Sequence, residues 1–307
     1  MTNKSRRLLK VIKINGNKRK KTAPDWVKAL NMTLLVVLFL ESFIFWDYYK
    51  STQKQLAVFQ KGKSVENGKT MYNNQTIQKI ESNIAEKVTL DDNIYDTYVI
   101  DLRKSSFTFH HTDDNGKIIE TFSNLKKYFD KKSKNLIFAT NGGIYTPSLK
   151  PLGLYVEKGK EITPLNLEKG NDNFYMEPNG IFYIKDNKPY IEETSNFGED
   201  IGDLDYATQS GPMLLVNGNF HPKFVTNSEN KNIRSGVGVI DENRIVIVIS
   251  NQPVNFYDFA NLFKKRFQCK NALYLDGAIS KMYLPELSRT YLDDNIHFGS
   301  FICVESK

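Results

Sequence analysis

The run Arg244-Ile245-Val246-Ile247-Val248-Ile249-Ser250 is apolar at consecutive positions, so an extended strand there needs cover on both faces. Asn255–Phe267 follows, with Phe256, Phe259, Leu262, Phe263 and Phe267 on one helical stripe, and then Leu273-Tyr274-Leu275-Asp276. A buried strand, an amphipathic helix and a second strand in that order favour a right-handed crossover between parallel strands. Asp276 then stands at the carboxyl end of a strand, where open α/β sheets bind ligands. The expected fold is α+β: a mixed β-sheet domain with flanking helices, preceded by one N-terminal transmembrane helix.

The helix at the N-terminus comes from charge and hydropathy together. Residues 1–28 carry ten Lys/Arg against Asp25, whereas residues 29–307 hold 32 Lys/Arg against 34 Asp/Glu. The net charge of +7 is therefore a property of the tail and does not point to nucleic acid. The tail runs into an apolar stretch ending at Phe43-Ile44-Phe45-Trp46, long enough to cross a bilayer at ~1.5 Å per residue. The basic flank stays cytoplasmic by the positive-inside rule, and no small-residue cleavage site follows the apolar run. The expected organisation is a basic cytoplasmic tail (1–28), a membrane anchor (29–49), a polar stalk (50–92) and an extracytoplasmic domain (93–307). Glu41 within the anchor either sits near the outer interface or pairs with an envelope protein partner.

Within 93–307, Ile94–Leu102, Ser105–His110, Leu136–Thr140, Gly153–Val156, Gly180–Ile184 and Ile233–Ile240 read as strands. Phe122, Leu125, Tyr128 and Phe129 mark a short amphipathic helix. Cys269 and Cys303 lack the spacing of a metal site, as do the four histidines. The acidic run Glu199-Asp200-Ile201-Gly202-Asp203-Leu204-Asp205 reads either as a calcium loop of hard oxygen ligands or as a solvated loop.

Four polar, glycine-containing breaks each follow an apolar run: Asn141-Gly142-Gly143, Gln209-Ser210-Gly211-Pro212, Arg234-Ser235-Gly236-Val237-Gly238, and Leu275-Asp276-Gly277. Each alone is an ordinary turn or strand end. As an ordered set, with Glu177-Pro178-Asn179-Gly180 between the first two, they resemble the phosphodiester glycosidase domain family. The loop after Asp276 departs from the family pattern, with Ala278-Ile279 standing where two glycines are usual.

The resemblance implies cleavage of a sugar-1-phosphodiester, and the anchor puts the expected substrate in cell-envelope or exported polysaccharide. A phosphate monoester leaves without much protonation, so such a site needs a carboxylate nucleophile or base and cations for the phosphate. Asp276 is the expected carboxylate, Arg234 the phosphate clamp through its two-donor edge, and Lys281 a second positive charge. Asn141, Gly142, Gly143, Gln209, Ser210, Gly211, Asn179 and Ser280 are expected to bind substrate, with Glu177 as a second carboxylate. The alternative is a non-catalytic glycan- or phosphate-binding module of an envelope assembly complex.

Overall fold

Antiparallel hairpins dominate the structure because the sequence supplies short turns that accept positive φ. Asp91-Asp92, Lys158-Gly159, Asp186-Asn187 and Asn217-Gly218 each hold both central residues at φ between 48° and 80°. Such two-residue turns match the right-handed twist of the strands they join. The computed structural model describes residues 83–277, 279–290, 292 and 295–306. The expected tail, anchor and most of the stalk lie outside the described residues, among which no helix is long and apolar enough to cross a membrane.

In chain order the elements are β1 (Ile84–Leu90), β2 (Asn93–Asp101), β3 (Ser106–His110), α1 (Phe122–Lys131), β4 (Leu136–Asn141), β5 (Tyr155–Glu157), β6 (Lys160–Thr163), β7 (Gly180–Lys185) and β8 (Lys188–Glu193). Then come β9 (Tyr206–Ser210), β10 (Met213–Val216), β11 (Asn219–Phe220), β12 (Ser235–Val239), β13 (Arg244–Ser250), α2 (Phe256–Lys265), β14 (Ala272–Asp276), β15 (Met282–Tyr283) and β16 (Phe301–Glu305). They form a seven-stranded sheet in the order β1-β2-β13-β12-β14-β10-β11, a four-stranded sheet β15-β4-β16-β3, and a five-stranded sheet β6-β5-β9-β7-β8.

This overturns the α+β expectation of a mixed sheet. Every strand pairing among the described residues is antiparallel, and strands far outnumber the two α-helices. β13 and β14 do run in the same direction, but β12 lies between them, antiparallel to both. The hairpin partner of β13 takes the place a parallel neighbour would occupy. β1 likewise pairs with β2 along its whole length, so the sheet starts before Asn93, inside the stretch expected as stalk.

The buried-strand expectation for β13 holds for a physical reason. Ile245, Ile247 and Ile249 face a central core shared with Phe109, Phe138, Phe182 and Leu273, while Val246 and Val248 face α2. Asn255 caps α2 by accepting from Asp258 N at 2.8 Å, and Phe256, Phe259, Leu262 and Phe263 are buried. Gly236 and Gly238 let that helix approach: a Cβ at either would press on Phe259 or Phe263. On the opposite side, α1 covers the four-stranded sheet with Phe122, Leu125 and Phe129, capped by Thr121, which accepts from Asn124 N at 3.1 Å. The two cysteines are free and buried in different clusters, Cys269 beneath α2 and Cys303 beneath α1.

Candidate active site

Strand ends from all three sheets meet at Asp276. β14 of the seven-stranded sheet ends there, with Ser235 at the start of β12 directly opposite. β4 of the four-stranded sheet ends at Asn141, and β9 of the five-stranded sheet ends at Ser210. Asn141 Nδ2 reaches Asp276 Oδ2 at 3.5 Å, while its Oδ1 accepts from Lys281 N at 2.9 Å. Ser210 Oγ donates to Leu275 O at 3.0 Å, and Ser235 Oγ lies 2.9 Å from Ser280 Oγ. Thus Asn141, Ser210, Ser235 and Asp276, from four separate motifs, form one connected set, which Ser280 joins through Ser235.

The glycines explain how three sheets come so close. A Cβ on Gly142 would collide with Ser300, and one on Gly143 would crowd Thr208, Gln209 and Ser210. A Cβ on Gly211 would strike the Phe174 carbonyl. Their first role is therefore to let backbone and side chains of neighbouring sheets interlock, a close-approach use of glycine.

Asp276 is half-buried, and its burial pushes the carboxyl pKa up to about 6; the Gly277 amide, donating to Oδ1 at 2.7 Å, offsets only part of this. A carboxyl whose pKa burial raises toward neutrality is a candidate for proton or nucleophilic chemistry.

Arg234 is 1% exposed, which departs from the expected open clamp. Its Nε donates to Val254 O at 2.8 Å, and Nη2 donates to Asn230 O at 2.9 Å and Asn230 Oδ1 at 3.2 Å. The guanidinium lies 3.6 Å over the Phe256 ring. The edge that would grip a phosphate bidentately is thus committed to the chain itself. Arg234 makes no ion pair among the described residues, and burial lowers its pKa. Its positive charge is uncompensated among the described residues, and Arg234 is not among the groups that move the Asp276 pKa.

Tyr274 links this charge to the loop. Its ring centroid lies 5.6 Å from the Arg234 guanidinium, whose charge opposes the rise that burial gives the phenol pKa, and a Cβ at Gly277 would collide with its hydroxyl. Tyr145 flanks the other side: its hydroxyl donates to His297 O at 2.6 Å, and burial together with neighbouring Asp276 pushes its pKa up to about 12. Sequence reading named neither tyrosine as a site residue. Both stand within or beside those motifs, and the available signal was their position two residues before Asp276 and two after Gly143.

Other expected residues serve the fold. Gln209 Oε1 accepts from Leu154 N at 3.0 Å and Asn166 N at 2.9 Å, and Nε2 donates to Asn166 O at 2.7 Å, so the amide ties the 164–172 loop down. Asn179 Nδ2 donates to Phe174 O at 2.9 Å. Glu177 lines a separate cavity of about 130 Å³ with Glu168 and Glu193. Lys281 enters the set through its backbone, donating N–H to Asn141 and accepting from Thr140 Oγ1 at 3.1 Å. In the acidic run Lys185 pairs with Glu199 and, at 3.2 Å, with Asp203, which favours the solvated-loop reading over calcium. Among the described residues no group of three or more His, Cys, Asp or Glu is placed to hold a metal.

Comparison with known proteins adds a family. A model described as phosphodiester glycosidase matches residues 134–303, more than half of the chain and all four glycine-containing motifs. The Escherichia coli (strain K12) uncharacterized protein YigE is 42% identical over 146 residues, 48% of this chain and 57% of that relative's length. Among solved structures, the catalytic domain of zebrafish N-acetylglucosamine-1-phosphodiester alpha-N-acetylglucosaminidase, auto-inhibited by its pro-peptide, aligns at TM-score 0.49 and 14% identity over 76% of this chain and 86% of that one. A hypothetical protein from Synechocystis aligns at TM-score 0.45 and 12% identity over 73% of this chain and 61% of that one.

Proposed function

This chain belongs to the phosphodiester glycosidase family, and from that premise we propose that it hydrolyses a glycosyl (sugar-1-) phosphodiester with Asp276 as the nucleophile or base. The observation that carries this reading is the half-buried Asp276 carboxyl, raised to about 6 where strand ends of three sheets converge. Above that pH it is ionised and able to attack the anomeric carbon or to activate water. It is the one carboxylate in the hydrogen-bonded set of Asn141, Ser210, Ser235 and Ser280. A single carboxylate is enough when the leaving group is a phosphate monoester, because no general acid has to protonate it.

Arg234 acts in this reading through its charge, transmitted past Tyr274 to the phosphate oxygens. A buried, uncompensated cation stabilises a developing anion more than an exposed one would. Asn141 holds the carboxylate while Ser280 and the backbone of Gly277 and Lys281 line the substrate side. The placement of the substrate in cell-envelope or exported polysaccharide rests on the sequence pattern of residues 1–49 alone.

The test is turnover by the full-length protein across a panel of sugar-1-phosphodiesters and ordinary glycosides. Hydrolysis confined to phosphodiesters is expected, with Asp276→Asn reducing kcat by about 10²–10⁴-fold. Full activity in Asp276→Asn would remove the assignment. Tight binding with no turnover of any panel member would favour the glycan-binding module instead.

A further inference from the structure

We propose that the cleft between the 113–117 turn and α1 is an accessory binding site for a polyanionic glycan, a linear sugar-phosphate polymer that extends away from Asp276. The inference rests on the phosphodiester glycosidase reading and adds the nature of the substrate: many phosphates on one chain.

The cleft has a volume of about 350 Å³ and is lined by Lys117, Lys127, Lys131 and Lys132 against Asp113 and Asp114. Both carboxylates are engaged locally. Asp113 Oδ1 closes its own turn by accepting from Asn115 N at 2.9 Å and Lys117 N at 3.0 Å. Asp114 pairs with Lys132 at 2.7 Å and accepts from the Tyr128 hydroxyl at 3.0 Å. Lys117, Lys127 and Lys131 have no carboxylate partner among the described residues. Because residues 29–307 together are close to neutral, this concentration of unpaired cations is a local feature and not a reflection of overall charge.

Position ties the cleft to the site. Asn141 pairs with Phe301 on β16, and Phe301 pairs with His110 at the end of β3, three residues before the turn. Two strand spacings of ~4.8 Å put His110 about 10 Å from Asn141 along the sheet, within reach of a short oligosaccharide. The cleft therefore opens at the same end of the strands as Asp276, and a polymer held at one can reach the other.

Chemistry selects the class of polymer. Single-stranded nucleic acid is held best where aromatic faces also stack its bases. The aromatic ring at this cleft is Tyr128, whose face is covered by the Lys132 ammonium 4.6 Å from its centroid. What remains is a set of flexible point charges suited to spaced phosphates, with attraction that salt screens over ~10 Å at 0.1 M.

The experiment uses full-length protein carrying Asp276→Asn, so that binding is read without turnover, and a synthetic linear oligomer with several sugar-phosphate repeats as the probe. Adding Lys127→Glu and Lys131→Glu is expected to weaken oligomer binding by about tenfold or more, and high salt to erase the difference. With Asp276 intact, the same two changes should raise KM for the oligomer by a similar factor, leaving kcat and the turnover of a single-linkage substrate unchanged. Both lysines are exposed, and an unchanged melting temperature confirms the fold. Unaltered oligomer affinity would overturn the proposal, as would equally tight binding of single-stranded RNA of matching charge. The two readings fail separately. Lysine-dependent binding by a protein that hydrolyses nothing would sink the enzyme assignment and keep the cleft. Hydrolysis with lysine-independent binding would do the reverse.

Discussion

Asp96 and Asp276 sit on one cross-strand row at the same end of the seven-stranded sheet, and their surroundings are opposite. Asp96 faces Ile249, Ile249 faces Ser235, and Ser235 faces Asp276. Burial raises the Asp96 pKa, but hydrogen bonds from Lys87, Arg289 and Asn251 outweigh it and hold the carboxyl below its ordinary range. Arg289 Nε approaches at 2.5 Å and Lys87 Nζ at 2.7 Å. Asp276 has burial against a single backbone amide, and its pKa rises. The same residue type at the same end of the sheet is a fastening in one place and, in the proposed function, the reactive group in the other, decided by whether cations accompany it into the protein.

The largest effect expected from this contrast is on turnover. Asp276→Asn should cost about 10²–10⁴-fold in kcat, whereas Asp96→Asn should leave the activity of the folded fraction nearly unchanged. Similar losses from both would erase the distinction.

Next in size is the effect on stability. Removing the Asp96 charge strands Arg289, which is 18% exposed, and should cost about 3 kcal/mol by the penalty for breaking a buried pair, measurable in urea. Lys87 is 53% exposed and adds little to that.

A smaller effect of opposite sign belongs to Asp276. Its folded pKa of about 6 lies above the unfolded value near 4, so the ionised form opposes folding above pH 6 and the cost vanishes as pH falls toward 4. Asp276→Asn should therefore stabilise the protein by about 1–3 kcal/mol at pH 7 and by little at pH 4. For Asp96 the folded pKa is lowered, so its contribution is present above pH 4 and is lost as pH falls through the folded value. Thermal melts of the two variants across pH 3–8 should diverge at neutral pH and converge in acid.

The sequence made Asp276 visible because an apolar run ended in a carboxylate and a glycine, and the hydrophobic period placed β13 and α2 correctly. The Asp241-Glu242-Asn243 turn also marked β12 and β13 as a hairpin, as they are; what stayed concealed was the pairing of β14 with β12. Gly236 and Gly238 gave β12 a weak apolar pattern on one face, so its role as the strand separating β13 from β14 did not stand out. Arg234 read as an exposed clamp because an arginine at a strand end is normally solvated; its burial depends on Asn230, Val254 and Phe256, which the fold brings around it. Gln209 read as a ligand for the same reason. Its three partners lie 43 and 55 residues away, beyond any local pattern.

The smallest expected effect asks what holds Asp276 in place of the ion pairs that hold Asp96. Gly277 has an ordinary backbone conformation, so a methyl there is opposed by the Tyr274 hydroxyl alone among its near neighbours. Gly277→Ala should cost about 1–3 kcal/mol by overpacking. Tyr274→Phe removes the obstacle and the polar hydroxyl near Arg234, costing about 1 kcal/mol by itself. If the hydroxyl is what braces the loop, Gly277→Ala should cost markedly less in the Tyr274→Phe background, with a coupling of about 1 kcal/mol in both urea stability and kcat/KM. Equal costs in both backgrounds would mean that Tyr274 does not set the loop. The carboxylate would then owe its position to Asn141 and the Gly277 amide.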